Sequence, residues 1–241
     1  MKLGKERRLP QAFPAEYQKG LVKFLNCKID LKNRVFIPRI ETEFWVKKAI
    51  KKLRLIEARP RCLPKAGGRW EGRSLRVLDI FAGSGCIGIA VLKNIKDSFV
   101  DFIDIDKRAI EQIEINLSLN KILKSRYRIY KSNLFEKLKN KKYDFIFANP
   151  PYVAKERLEE VEPAVLKYEP KTAFLAGKGG LFFIRGFLKE AKKFLKQNGV
   201  IYLEIDPQQK DDIENILGEQ GYKKSRFFKD QFKKYRFVKI C

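Results

Sequence analysis

Apolar positions from residue 76 onward form short continuous runs that alternate with longer segments of helical spacing. Short apolar runs are typical of strands buried on both faces, whereas apolar residues three and four apart are typical of helices. The runs predict strands at 76–81, 98–105, 127–130, 143–148 and 200–205, and the segments with helical spacing predict helices at 85–95, 107–120, 180–197 and 208–219. Strands that alternate with helices predict a parallel, doubly wound α/β sheet.

The segments outside this alternation are less regular. Residues 1–56 predict a short basic extension with a small hairpin and a helix, and Thr42 is the expected N-cap of that helix. Residues 57–75 contain two prolines and three glycines, so a loop or insertion is expected there, before a main domain at 76–241. Asn198-Gly199 is the expected stop of the 180–197 helix. The last twenty residues have the alternation of a β-hairpin.

The composition is that of a soluble globular protein, with 44% hydrophobic and 34% charged residues in 241. We expect a cytoplasmic protein with reduced thiols, because no apolar run could span a bilayer and the four cysteines are widely spaced. The absence of histidine excludes a Ser-His-Asp triad and any histidine metal site, and no C-x-x-C pair is present. No metal is therefore expected.

The net charge of +24 is concentrated near both ends of the chain. Residues 1–76 hold 21 Lys and Arg against 7 Asp and Glu, and residues 222–241 hold 8 against 1. Basic ends of this kind favour contact with RNA or a ribonucleoprotein such as the ribosome. A solvated lysine-rich surface is the alternative, and the sequence does not decide between them.

A glycine-rich turn follows the first predicted strand of the main domain and opens a helix. Glycines at such a turn allow a ligand to approach the backbone closely, and Gly88 allows the helix to pack against the strand. A merely structural turn is the alternative, but the strand before it and the helix after it favour a nucleotide site. The candidate cofactor-binding residues are Phe81, Ala82, Gly83, Ser84 and Gly85.

An acid ends the second predicted strand at Asp104, 21 residues after Gly83. An acid about 20 residues beyond such a turn accepts hydrogen bonds from ribose hydroxyls in dinucleotide folds. Asp106 is the rival, but it fits the role of a helix N-cap better. These two features alone are compatible with either NAD or S-adenosylmethionine.

The motif Asn149-Pro150-Pro151-Tyr152 follows the fourth predicted strand and decides between these cofactors. The prolines stiffen the turn and remove two backbone donors, so that carbonyl oxygens face a cleft. The Asn149 side-chain oxygen and the Pro150 carbonyl can accept both hydrogens of a planar nitrogen, and the Tyr152 ring can stack on it. This arrangement favours methylation of an amide or exocyclic amino nitrogen, with these four residues as the catalytic set.

At these residues the chain resembles class I S-adenosylmethionine-dependent methyltransferases with an N-P-P-Y motif. More narrowly, it is similar to the HemK-type glutamine methyltransferases of peptide chain release factors, over about residues 17–241. The narrower resemblance rests on 37–43, which is similar to I-P-R-P-E-T-E with Ile40 in place of a proline, and on two further stretches. These are Tyr168-Glu169-Pro170 followed by 177–181, and 203–205 followed by Gln208, Gln209, Asp230 and Arg236.

The resemblance implies a Rossmann-like fold whose mostly parallel seven-stranded sheet has an antiparallel C-terminal strand. It implies S-adenosylmethionine at the Phe81–Gly85 turn, Asp104 and Asn149, with Asn133 and Leu134 near the adenine. Asn133 stands where the family has an acid. The implied acceptor is the glutamine in the Gly-Gly-Gln motif of a release factor. Only 36 residues precede Ile37, so we expect the family's N-terminal helical bundle to be truncated.

Two other functions remain open from the residues alone. The first is methylation of an exocyclic amino nitrogen of adenine or guanine in RNA or DNA. Aromatic residues interleaved with lysines near the C-terminus favour it, unless they fill the core of the sheet, which their alternation suggests. The second is a nucleic-acid-binding module without activity, against which the intact glycine turn and N-P-P-Y motif argue.

Overall fold

The computed structural model describes residues 13–58 and 74–241. The strands are β1 (Leu21–Phe24), β2 (Cys27–Asp30), β3 (Leu75–Ile80), β4 (Ser98–Asp104), β5 (Tyr127–Lys131), β6 (Tyr143–Ala148), β7 (Leu195–Glu204), β8 (Ser225–Lys229) and β9 (Tyr235–Ile240). The α-helices are α1 (Ala15–Lys19), α2 (Ile40–Glu57), α3 (Cys86–Asn94), α4 (Lys107–Leu119), α5 (Pro163–Tyr168), α6 (Phe182–Ala191) and α7 (Lys210–Glu219). Short 3₁₀ turns lie at Lys124–Arg126, Lys155–Glu160, Lys171–Ala173, Lys178–Gly180, Lys192–Phe194 and Pro207–Gln209.

The main sheet of the described residues has seven strands in the order β5-β4-β3-β6-β7-β9-β8. The pairs from β5 to β7 are parallel, and β9 pairs antiparallel with both β7 and β8. The predicted sheet, including its antiparallel C-terminal strand, is therefore confirmed. The strand order reverses between β3 and β6, and open α/β sheets bind their ligands at such a reversal.

Local chemistry explains where α3 and α4 begin. Gly85 occupies the N-cap position of α3 with φ of 76°, a left-handed conformation that glycine adopts without strain. A Cβ on Gly88 would lie 2.3 Å from the Phe102 ring, so glycine is what lets α3 pack on β4. Asp106 caps α4 by accepting a hydrogen bond from the Arg108 backbone N–H at 2.9 Å, as predicted.

The predicted helix at 180–197 is wrong at its C-terminal end. The helix α6 ends at Ala191, and β7 already begins at Leu195. In the ladder between β6 and β7, Tyr143 pairs with Leu195 and the next pair joins Phe145 to Val200. The strand β7 therefore has extra residues between these two pairs, which form a bulge. Asn198, with φ of 65°, lies inside this bulge. An Asn-Gly pair with a left-handed residue suits a helix end and a bulge equally, which explains the error.

Thr42 is not the N-cap of α2, contrary to expectation. The helix begins at Ile40, Arg39 occupies the N-cap position, and no side chain caps the helix. Thr42 lies in the first turn and is buried, where its hydroxyl donates a hydrogen bond to Glu204 on β7. The apolar face of α2 packs on the sheet through Trp45, which stacks on Phe147 and Phe237.

The antiparallel hairpin of β1 and β2 docks on α4 through hydrogen bonds. Three amides of the segment, at Lys28, Asp30 and Asn33, donate to the side-chain oxygens of Asn120, Asn116 and Gln112. These acceptors lie four residues apart along α4 and so form one face. The hairpin thereby connects the segment before α2 to the helix that follows the Asp104 strand.

Parts of the predicted organisation fall on residues 1–12 and 59–73, which lie outside the described residues; they include most of the expected 57–75 insertion. In the C-terminal hairpin, Phe227, Phe228 and Tyr235 pack against the two hydrophobic cores, while Phe232 is exposed in the turn. No helix in the described ranges is long and apolar enough to cross a bilayer.

Candidate active site

A cavity of about 770 Å³ opens at the carboxyl ends of β3, β4, β6 and β7. It is the place where the topology predicts a ligand, since the strand order reverses there. The cavity brings the glycine turn and the N-P-P-Y motif together. The predicted site residues that line it are Phe81, Ala82, Gly83, Ser84, Asp104, Asn133, Leu134, Asn149, Pro150, Pro151 and Tyr152.

The turn after β3 presents Gly83 to the cavity. Its φ is 54°, and a Cβ there would meet no atom within 4 Å, so the backbone borders open space. Phe81 also has a left-handed φ, of 60°, and its ring packs edge-on against Phe183 and Phe187. Gly85 faces the other way, because a Cβ there would lie 3.1 Å from Ile113 on α4. Gly85 thus allows the turn to pack closely against α4, on the side away from the cavity.

Asp104 is fixed by two backbone amides. Its Oδ2 accepts from the Gly83 N–H at 2.8 Å, and its Oδ1 accepts from the Asp106 N–H at 2.9 Å. Burial raises the pKa of the Asp104 carboxyl above its usual range, although these hydrogen bonds oppose the shift. Each oxygen can accept a further hydrogen bond, and Asp104 lines the cavity, so the pair of oxygens suits two neighbouring hydroxyl groups. With the open space at Gly83, these acceptor oxygens fit the ribose of an adenosyl group.

Asn149 is connected to a chain of hydrogen bonds, in which the bonds to Glu204 are buried. Its Nδ2 donates to the Thr42 hydroxyl at 3.5 Å, and that hydroxyl donates to Glu204 Oε2 at 2.7 Å. The Trp45 indole N–H donates to the same Glu204 oxygen at 2.7 Å. Because the Asn149 nitrogen is engaged with Thr42, its Oδ1 is the atom left to accept a hydrogen bond from a ligand.

Glu204 is the buried anchor of this chain. Burial raises the pKa of the Glu204 carboxyl, while the hydrogen bonds from Trp45 and Thr42 and the charge of Arg236 lower it. Arg236 borders the cavity and forms an ion pair with Asp230, with 3.0 Å between Nε and Oδ2. The pKa of the Tyr152 hydroxyl is raised by burial, so its ring is a neutral phenol at the cavity wall.

The backbone of the N-P-P-Y loop is held by contacts with Gln209 and Gly180. Gln209 Nε2 donates to the carbonyl oxygens of Tyr152 at 2.9 Å and Gly179 at 3.1 Å. Gly180 fits directly against the loop, since a Cβ there would lie 2.2 Å from the Tyr152 oxygen. These contacts give a physical role to Gln209 and to the glycine segment, which the sequence identified without assigning one.

Sequence reasoning missed the second wall of the cavity, which comes from the segment before and at the start of α2. Phe36, Arg39 and Thr42 all line the cavity. The Arg39 guanidinium lies 4.6 Å from the centre of the Phe36 ring and forms an ion pair with buried Glu169. The sequence did contain a sign of this wall, because the family resemblance included both the 37–43 stretch and Tyr168-Glu169-Pro170. It did not indicate that these two stretches contact each other.

Asp79 lies beneath the turn, at the core of the site. Its Oδ2 accepts from the Gly88 N–H at 2.8 Å, whereas Oδ1 is buried with no hydrogen-bond partner among the described residues. Burial raises the pKa of Asp79 to about 8, so the carboxyl is largely protonated at neutral pH. Asp79 therefore supports the N-terminus of α3 without adding a full negative charge under the cavity.

Comparison with known proteins places these features in a family. A model of the methyltransferase small domain matches residues 61–235. A release factor glutamine methyltransferase of Thermodesulfovibrio yellowstonii is 32% identical over 93% of this chain and 75% of that protein. Another from Fusobacterium nucleatum subsp. nucleatum is 35% identical over 87% of this chain and 54% of that protein, so the chain spans about half of that relative.

Among solved structures, the fold is similar to a ribosomal protein L11 methylase from Lactobacillus delbrueckii subsp. bulgaricus. The TM-score is 0.58 at 19% identity, covering 88% of this chain and 83% of that one. At this identity the likeness concerns the fold alone.

Proposed function

Because the chain belongs to the family of release factor glutamine methyltransferases, we propose that it methylates a peptide chain release factor. The methyl group would pass from S-adenosylmethionine to the side-chain amide nitrogen of the glutamine in the Gly-Gly-Gln motif. The observation that carries the proposal is the orientation of Asn149, whose nitrogen is engaged by Thr42 while its oxygen is left to the cavity.

S-adenosylmethionine supplies an electrophilic methyl group when bound. Asp104 would accept hydrogen bonds from the ribose hydroxyls, and Gly83 leaves room for the cofactor against the backbone. Asn133 and Leu134, after β5, would border the adenine. The neutral Asn133 amide can offer a hydrogen bond there in place of a charge.

The acceptor amide is a weak nucleophile, so catalysis by these residues depends on positioning. Asn149 Oδ1 and the Pro150 carbonyl would each accept one hydrogen of the glutamine NH₂ and so fix the direction of its nitrogen. Tyr152 and Phe36 offer apolar rings for the planar amide, and both line the same cavity. The hydrogen bond from Gln209 to the Tyr152 carbonyl would hold the loop in this geometry before the acceptor binds.

We further propose that the enzyme acts in the cytoplasm on a release factor as its protein partner. Cys27 and Cys86 are buried free thiols, which suits a reducing compartment. Any contact with RNA or the ribosome would involve the basic surface of the protein. It would depend on the charge of that surface and not on the residues of the catalytic cavity.

Two variants separate acceptor positioning from cofactor binding. Asn149→Ala removes the proposed acceptor oxygen, and we expect kcat to fall by about 10²–10³ while the affinity for S-adenosylmethionine is largely kept. Asp104→Ala is the matched control, for which we expect weaker cofactor binding. Calorimetric titration measures the affinity of each variant for the cofactor, and initial rates on a purified release factor measure kcat. Full activity of Asn149→Ala would refute the proposed role.

A further inference from the structure

The solvent side of α2 carries a cluster of cations that the proposed activity does not use. Residues 44–56 include five Lys and Arg and no acid. All five cations are exposed, whereas the opposite side of the helix is buried against the sheet. We define the α2 basic face by these residues, which are Lys47, Lys48, Lys51, Lys52 and Arg54.

Two of the three acids of α2, one near each end, are already engaged elsewhere, and the third, Glu41, lines the cavity. Glu43 accepts from the Leu25 backbone N–H at 2.9 Å, and Glu57 accepts from the Asp97 N–H at 3.0 Å. Within residues 13–58 and 74–241, the four lysines form no ion pair within 4.0 Å. The only aromatic partner described for them is Phe44, whose ring centre lies 4.2 Å from the Lys48 nitrogen.

This arrangement costs the helix stability. Lys47 and Lys51, and likewise Lys48 and Lys52, are four residues apart and therefore neighbours on the helix surface. Each like-charged pair at this spacing destabilises a helix. The stability of the helix itself therefore does not favour the cluster, whereas an anionic partner would relieve the repulsion.

The neighbouring strands extend the positive surface on the same side of the sheet. Phe228 stacks on Phe237 with 4.9 Å between ring centres, and Phe237 stacks on Trp45 of α2 at 5.8 Å. Arg226 lies two residues before Phe228 on β8, so it shares that face of the sheet, and it pairs with Lys239 on β9. Arg226 is exposed, and Lys239 is half-buried.

We propose that the α2 basic face, together with Arg226, binds the phosphate backbone of RNA. Phosphates are recognised by Lys and Arg through charge, without the mixed polarity that a protein surface requires. A protein partner is less suited, because lysines are depleted at protein–protein interfaces and large aromatic anchors are enriched there. Leu55 is the one exposed large apolar residue among the described residues of α2 beyond its first turn.

The test compares two quadruple variants with equal loss of charge. The first is Lys47→Gln, Lys48→Gln, Lys51→Gln and Lys52→Gln. The matched control replaces four lysines exposed on other surfaces, by Lys121→Gln, Lys137→Gln, Lys139→Gln and Lys189→Gln. The affinity of each full chain for a fluorescent, unstructured RNA is measured by anisotropy over a series of salt concentrations, with a DNA of the same sequence alongside.

We expect the α2 variant to bind RNA about tenfold or more weakly at low salt, with the slope of log K against log salt reduced by about 0.7 for each phosphate that is no longer neutralised. The control should change much less, and both variants should methylate an isolated release factor at the rate of the unmodified enzyme. Thermal stability of the α2 variant should not decrease, since repulsive pairs are removed. Asn149→Ala should bind RNA normally, which keeps this inference separate from the proposed activity.

Four results would overturn the inference. Unchanged RNA affinity in the α2 variant is the first, and an equal loss in the control is the second, because binding would then follow total charge alone. The third is unchanged RNA affinity with a raised KM for the release factor, which would make the face a docking site for the protein substrate. Stronger binding to DNA than to RNA would likewise contradict RNA as the partner.

Discussion

Replacing the Thr42 hydroxyl tests whether α2 positions Asn149, the asparagine that we propose as catalytic. Thr42→Val keeps the shape of the side chain but removes the group that links Asn149 to Glu204. The Asn149–Thr42 hydrogen bond is long, at 3.5 Å, so its contribution should be near ~1 kcal/mol. That corresponds to a fall in kcat of about fivefold, since ~1.4 kcal/mol is tenfold. The KM for S-adenosylmethionine should not change, because Asp104 and Gly83 are untouched.

Stability provides a second readout for the same variant. Glu204 keeps its hydrogen bond from Trp45 but loses the one from Thr42, which should cost about 1–3 kcal/mol in a buried site. Thr42→Ser retains the hydroxyl and is the matched control, expected to keep kcat close to that of the original enzyme. Initial rates on a release factor at saturating cofactor, with urea unfolding of each variant, give both quantities. A normal kcat for Thr42→Val would refute the positioning argument.

Two further predictions concern the support of the site. The pKa of Asp79 in the folded state, about 8, exceeds the ordinary 3.8. Its contribution to the free energy of unfolding is therefore present at low pH and is lost as pH rises toward 8. The loss is at most about 1.4 kcal/mol per pH unit, the limit for one proton. Asp79→Asn cannot titrate, and urea unfolding between pH 5 and 8 should show a flatter dependence; an unchanged dependence would contradict this assignment. In Gly180→Ala, the new Cβ would meet the Tyr152 carbonyl oxygen at 2.2 Å, so we expect kcat to fall about tenfold or more and unfolding to cost ~1–3 kcal/mol less. Gly218→Ala, on α7 with open space at its Cβ, is the control that should keep full activity.

The features that could be predicted from the sequence are those that depend on residues close together in the chain. The glycine turn, Asp104 and the N-P-P-Y loop each follow directly on an apolar strand, and parallel strands bring such carboxyl-terminal residues to one edge of the sheet. Asp106 as a cap of α4 rests on the same kind of local chemistry. These features therefore could be placed from the order of residues alone.

The rest of the site depends on contacts between distant parts of the chain. Thr42 and Glu204 are 162 residues apart, and no periodicity encodes their hydrogen bond. Arg39 and Glu169 are similarly separated, by 130 residues. The position of Thr42 near the start of a helix suggested a cap, because a threonine there usually serves the backbone. Its partner is instead Glu204, which it reaches because α2 packs across the carboxyl end of β7.

The most direct test of the account is transfer of labelled methyl from S-adenosylmethionine to a purified release factor, followed by mass spectrometry of the modified peptide. We predict one methyl group on the glutamine of the Gly-Gly-Gln motif, and none when that glutamine is replaced or when the enzyme carries Asn149→Ala. Label on RNA or DNA with an unmodified release factor would contradict the central claim and would assign the same cavity to a nucleic-acid amino group.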